Sequence, residues 1–171
     1  MKYFIQALLV SYCLLLYGCP LQTDAPIMGD RTLEVPKWLP GKWAELKNTT
    51  LSKSLYQVKL VQEDSSRVTI TGLDPQGNPD PDNVHEAVVA TIRKQLFISI
   101  YDKGDDQNNS AGYYHYAMVY NKNGDLELIP VTELLLASTA SSEELLDYFI
   151  NHSSNPDYFD QANIETFRKQ H

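Results

Sequence analysis

Short stretches of alternating apolar and polar residues, each closed by turn-forming residues, recur from Lys42 to Val131. A period of two puts successive side chains on opposite faces, so such segments fold as half-buried strands rather than helices. Lys42 to Leu46 is the first. Leu55 to Gln62 sets Tyr56, Val58 and Leu60 against Gln57, Lys59 and Val61, and Asp64-Ser65-Ser66 turns it into Arg67 to Gly72, where Val68 and Ile70 share a face. The pair predicts a hairpin. Ala87 to Ile92 and Leu96 to Tyr101 predict a second, across Arg93-Lys94-Gln95. Gly112 to Tyr120 and Leu126 to Val131 predict a third, across Lys122-Asn123-Gly124-Asp125, and Asn-Gly between alternating runs is a strong short-range hairpin signal. Between the hairpins, Asp74 to Asn83 carries Pro75, Pro79 and Pro81 and reads as loop, as does Lys103 to Ala111.

After these runs the period changes. Ser141 followed three residues later by Glu144 is a capping box, and Leu145, Leu146, Phe149 and Ile150 line one face of the helix it starts. Asn155-Pro156 begins a turn with Tyr158 and Phe159 as anchors, and Ile164 to Arg168 alternates again as a last strand. Eight strands and one C-terminal helix are expected, an all-β antiparallel barrel of about eight strands.

The chain begins differently. Lys2 precedes an apolar run from Phe4 to Leu16 that is shorter than the roughly 20 residues needed to cross a bilayer but long enough for a cleaved leader, with Gly18 as the small residue at the cut. Residues 1–18 are therefore expected to be removed, and what remains is long enough for one domain. Pro20 to Pro36 is polar and aperiodic, which predicts a tether over 19–36 and a folded domain over 37–171.

Leu16, Gly18 and Cys19 resemble the lipobox of bacterial lipoproteins. The resemblance implies that Cys19 becomes the first residue and carries thioether-linked diacylglycerol and an N-acyl chain such as palmitate. It also implies a lipid anchor in the cell envelope. Pro20, where an Asp would retain such a protein in the inner membrane, favours the outer membrane facing the periplasm. Two or more acyl chains anchor durably where one does so only marginally.

Gly41-Lys42-Trp43 at the start of the first strand resembles the Gly-x-Trp signature of lipocalins. That resemblance implies a barrel closed at one end by Trp43, entered through a turn at Gly41, with Arg168 late in the chain packed over the indole. The order of a Tyr-rich hairpin, a Ser-Ser-Glu-Glu-Leu helix, Asn-Pro-Asp and a short last strand also resembles small bacterial lipoproteins with a lipocalin-like domain. An eight-stranded barrel is just wide enough to be filled by side chains or to hold one small ligand.

Within the third hairpin, Tyr114, Tyr116, Met118 and Tyr120 fall on one face. They are the candidate lining of an apolar ligand pocket, the alternative being plain core packing. The histidines His85, His115, His152 and His171 lack metal-ligand spacing, and the acids Asp74, Asp80, Asp82, Asp102, Asp105 and Asp106 follow no calcium-loop order, so neither metal nor cofactor is expected. Glu133 with Glu143 or Glu144 is the one conceivable carboxylate pair, but the latter two belong to a helix start. Phosphate-cradling and nucleophile-elbow motifs are absent from the sequence, which argues for a noncatalytic protein. A net charge of −8 disfavours nucleic acid and anionic lipid as partners. The expected partners are the membrane through Cys19 and either a small apolar ligand or another envelope protein.

Overall fold

The computed structural model describes residues 21–29, 35–47, 50–51, 57–104, 111–132 and 140–170. The leader with Cys13, Cys19 itself, Leu55 and Tyr56, Asp105 and Asp106, Glu133 and His171 lie outside the described residues. Ten strands form: β1 Gln22–Thr23, β2 Gly41–Lys47, β3 Thr50–Leu51, β4 Gln57–Gln62, β5 Arg67–Leu73, β6 Pro79–Ile92, β7 Gln95–Asp102, β8 Gly112–Tyr120, β9 Asp125–Pro130 and β10 Glu165–Gln170, with a helix, α1, over Ser142–His152. Eight of them close an antiparallel barrel in the order β8-β7-β6-β5-β4-β2-β10-β9, β9 pairing back onto β8. Closure removes the unpaired edges of an open sheet. The C-terminal strand completes the ring, with Phe167 opposite Glu45 of β2 on one side and Leu126 of β9 on the other.

All three expected hairpins form, with Leu60 opposite Ile70, Val89 opposite Ile98 and Met118 opposite Leu128. Inward residues come from every strand by the period of two: Trp43, Val58, Val68, Val89, Ile98, Met118, Leu126 and Phe167 belong to one buried cluster.

The turns differ from expectation. At the third hairpin only Gly124 has positive φ, +80°, and its N–H donates to the Asn121 carbonyl at 3.1 Å, so the loop spans three residues and Asn123 stays in ordinary backbone geometry. At the second hairpin Gln95 already pairs with Ile92, leaving Arg93 and Lys94 at φ 48° and 73° as a two-residue turn. Left-handed φ at both central positions matches the twist of a tight hairpin, but costs a non-glycine residue about 1–2 kcal/mol. Lys94→Gly is therefore expected to raise the unfolding free energy by about 1 kcal/mol in urea denaturation; a lowered midpoint would mean that the lysine side chain contributes more than the strain removes.

The proline-rich stretch is only partly loop. β6 begins at Pro79, pairs there with Leu73 and shifts register between Thr71 and Leu73. β7 pairs with β6 only from Ala87 onward, so on that side Pro79 and Pro81 sit on an unpaired edge, where a missing N–H breaks no ladder. Gly72 lies so close to Asn83 that a Cβ would come within 2.4 Å of its side-chain amide.

The expected tether over 19–36 is corrected as well. Leu21, Ile27 and Val35 are buried, β1 pairs with Tyr113 and Tyr114 of β8, and the Leu21 N–H donates to the Val131 carbonyl at 2.8 Å. Among the described residues, folded structure thus already includes Leu21. Aperiodic spacing hid this, because Leu21 and Ile27 pack with the outer cluster while Val35 joins the inner one, so they share no repeating face. Together with α1, Leu21 and Ile27 cover the outer surface of β6, β7 and β8, where Phe97 meets Phe149 at 5.0 Å and Leu145 is fully buried. The capping box that starts α1 forms in both directions, Glu144 N–H to Ser141 Oγ at 3.3 Å and Ser141 N–H to Glu144 Oε2 at 2.8 Å.

Candidate functional site

A cavity of about 230 Å³ lies inside the barrel. Its base is Leu39, Trp43 and Val58; its walls include Ile70, Ile98 and Leu128; its mouth carries His85, Asp102, Tyr114 and Glu165. Glu165 is exposed, so the cavity meets solvent at that end. Register explains the gradient. Trp43 pairs with Lys169 and Val58 at one end, whereas Leu128 pairs with Glu165 near the other.

The base is built from aromatic rings. Trp43 is fully buried, with its indole N–H donating to the Leu39 carbonyl at 2.8 Å. Trp38 stacks on Tyr120 at 4.5 Å, and both meet Trp43 edge-on at 6.4 Å. Lys169 Nζ lies 5.5 Å from the Trp43 ring and donates to the Trp38 carbonyl at 2.6 Å. Gly41, at φ +138°, lets that lysine pass, since a Cβ there would come within 2.9 Å of its Cε.

The cation over Trp43 is thus Lys169 and not Arg168, a correction that parity explains: Phe167 and Lys169 point inward, so Arg168 points out. Its guanidinium instead makes a two-pronged contact with the buried Asp125, Nε to Oδ1 at 2.7 Å and Nη2 to Oδ2 at 3.0 Å. The carboxylate raises the Arg168 pKa further above its ordinary value.

Of the four residues expected to line a pocket, Tyr114 and Tyr116 do so. Met118, 2% exposed, lies beyond the lining in the packed core, and Tyr120, 44% exposed, belongs to the aromatic base. All four share a face, but at about 3.3 Å per residue that face runs about 20 Å, and only Tyr114 and Tyr116 on it line the cavity. Burial, then the charges of Glu165, Tyr114 and Asp102, push Tyr116 up to about 12, so its hydroxyl keeps its proton. Burial, and then Glu45, raise the Glu165 carboxyl.

In the sequence His85 and Asp102 stand out only as rejected metal ligands, and Glu165 does not stand out. The phase carries the signal: Asp102 continues Ile98 and Ile100, His85 precedes Ala87 and Val89, and Glu165 precedes Phe167. Both nitrogens of His85 face acceptors, Asn83 Oδ1 at 3.1 Å and the Tyr101 carbonyl at 3.3 Å.

Outside the barrel, His115 is fully enclosed between β8 and the N-terminal segment. Thr23 Oγ1 donates to the Ala25 carbonyl at 2.6 Å and so must accept from His115 Nε2 at 2.7 Å. Nδ1 then accepts from Ser99 Oγ at 2.9 Å, and Ser99 Oγ accepts from the Ile27 N–H at 3.0 Å. Every donor in this chain has one acceptor only if the imidazole is neutral with its proton on Nε2. Burial lowers its pKa to about 3, in agreement.

Among the described residues no three His, Cys, Asp or Glu side chains are placed to hold a metal ion, and no helix is long and apolar enough to cross a membrane. No protein-family model matches the sequence, and no curated protein does. A solved structure, that of a DUF4909 family protein from Staphylococcus aureus, is similar in fold over 80% of this chain and 100% of its own, at 7% identity and a TM-score of 0.48.

Proposed function

We propose that this is a noncatalytic binding protein of the bacterial envelope, lipid-anchored at Cys19 and holding a small, largely apolar ligand inside its lipocalin-like barrel. The observation that carries this reading is the cavity, lined mostly by apolar side chains with Asp102, His85 and Glu165 among its polar members. Such a lining retains and orients a ligand, and it favours this reading over that of a solid barrel acting only as a protein-interaction module. At about 230 Å³ the cavity lies below the roughly 300–1,000 Å³ of drug-sized pockets, so the ligand is a single ring or a short chain.

The anchor follows from the lipobox resemblance, and the packing of Leu21 gives it a consequence. Cys19 precedes Leu21 by two residues, so an acylated Cys19 would hold the barrel within about 7 Å of its point of insertion. In this reading the outer membrane, facing the periplasm, is the destination.

Native mass spectrometry of the full chain extracted from membranes checks both parts. The expected spectrum shows a polypeptide mass increased by acyl chains and a second, noncovalent mass that leaves on activation. A protein carrying acyl chains but no releasable ligand would count against the binding function. Cys19→Ala is expected to move the protein out of the membrane fraction, and persistent membrane association would refute the anchor.

A further inference from the structure

We infer that the ligand is an amphipathic cation, its short apolar body in the barrel and its amine or other positively charged group at the mouth between Asp102 and Glu165. This rests on the reading of the barrel as a small-molecule binder and adds the chemical class.

The inference comes from the composition of the cavity wall. Among the described residues its charged members are Asp102 and Glu165, with His85 beside them, and no Lys or Arg lines it. Asp102 Oδ1 is held by the Gly104 N–H at 3.0 Å, which fixes the carboxylate at the end of β7. Glu165 forms no hydrogen bond or ion pair among the described residues and stands near Glu45, a second acid on the same side of the barrel. His85 already faces two acceptors of its own. An anionic headgroup would meet two like charges at close range, in surroundings less polar than water that strengthen the repulsion. A cation would be drawn to the two carboxylates and gain charge-assisted hydrogen bonds from them. Tyr114 and Tyr116 line the same cavity, where an aromatic ring can also attract a cation. Burial, and then Glu45, raise the Glu165 carboxyl, and a cation beside it would oppose both.

The test compares hexylammonium, hexanol and hexanoate, matched in apolar body, by isothermal titration calorimetry on the full chain at neutral pH. Hexylammonium is expected to bind at least about tenfold tighter than hexanol, and hexanoate weakest. Glu165→Gln and Asp102→Asn, each close in shape to the native residue, are expected to reduce the preference for hexylammonium over hexanol about tenfold. Hexanol binding as tightly as hexylammonium, or hexanoate binding tightest, would overturn the cationic class and leave the binding function standing. If none of the three binds, the binding function falls with it. If both variants keep the full ammonium preference, these two carboxylates are not its source and the inference fails.

Discussion

Trp43→Ala is expected to lower the unfolding free energy by about 3–5 kcal/mol, the range for removing a fully buried aromatic side chain. Several losses coincide at this position. The indole has no solvent exposure, so the hole left behind cannot be shared with water without wetting the base of the barrel. The Leu39 carbonyl loses its donor at 2.8 Å, Lys169 loses the ring under its ammonium, and the edge-on contacts with Trp38 and Tyr120 disappear together. Urea denaturation of the variant and the wild type measures the difference. Trp38→Ala, which removes a half-buried ring from the same stack, is expected to cost clearly less. A Trp43→Ala cost below about 1 kcal/mol would mean that the barrel base is not a packed core.

Acidification is the second large effect, and His115 is its origin. The folded protein holds this imidazole neutral, with a pKa near 3 against an ordinary 6.5, because burial excludes the charged form. The unfolded chain takes up the proton first. The contribution of His115 is therefore fully present above pH 6.5 and is lost as pH falls toward 3, at about 1.4 kcal/mol per unit, or about 4–5 kcal/mol in all. His115→Gln separates this from the carboxylates, since a glutamine amide can still donate to Thr23 and accept from Ser99 but cannot titrate in this range. The stability difference between wild type and variant is expected to narrow by that amount between pH 7 and pH 3. Parallel profiles would show that His115 is not held neutral. Structurally, protonation removes the acceptor at Nδ1, so the Ser99 hydroxyl loses its place and the Ile27 N–H loses part of its support. The segment from Leu21 to Ile27 is thus where acid unfolding is expected to begin, readable as early loss of hydrogen-exchange protection there.

Legibility followed the range of the forces involved. Pairing of β4 with β5, β6 with β7, and β8 with β9 was readable because each hairpin is local and its inward set repeats every second residue. The start of α1 was readable because Ser141 and Glu144 cap one another within a single turn. Loop chemistry was read less well. Pro79 and Pro81 look like breakers until the edge they occupy is known, and Arg93-Lys94 carries no turn signal at all because the register of Ile92 with Gln95 imposes the geometry. Of the candidate pocket face, Tyr114 and Tyr116 line the cavity, while Met118 and Tyr120 share their phase but not their depth. Arg168 and Lys169 are adjacent cations, and one residue of parity sends the first to Asp125 and the second to Trp43.

By itself the sequence determined the class: strands of period two with turns between them, a capped helix near the end, and an inward face from each strand that must be buried. Only the tertiary structure decided that β10 closes the ring between β2 and β9, that the polar-looking stretch after Leu21 is part of the wall, and that Asp102, His85 and Glu165 meet at one mouth. The physical reason is that strand period and turn chemistry are set by near neighbours along the chain. Barrel closure, burial of single residues such as Ile27, and the convergence of polar side chains from β6, β7 and β10 depend on contacts between residues far apart in sequence, which no local pattern encodes.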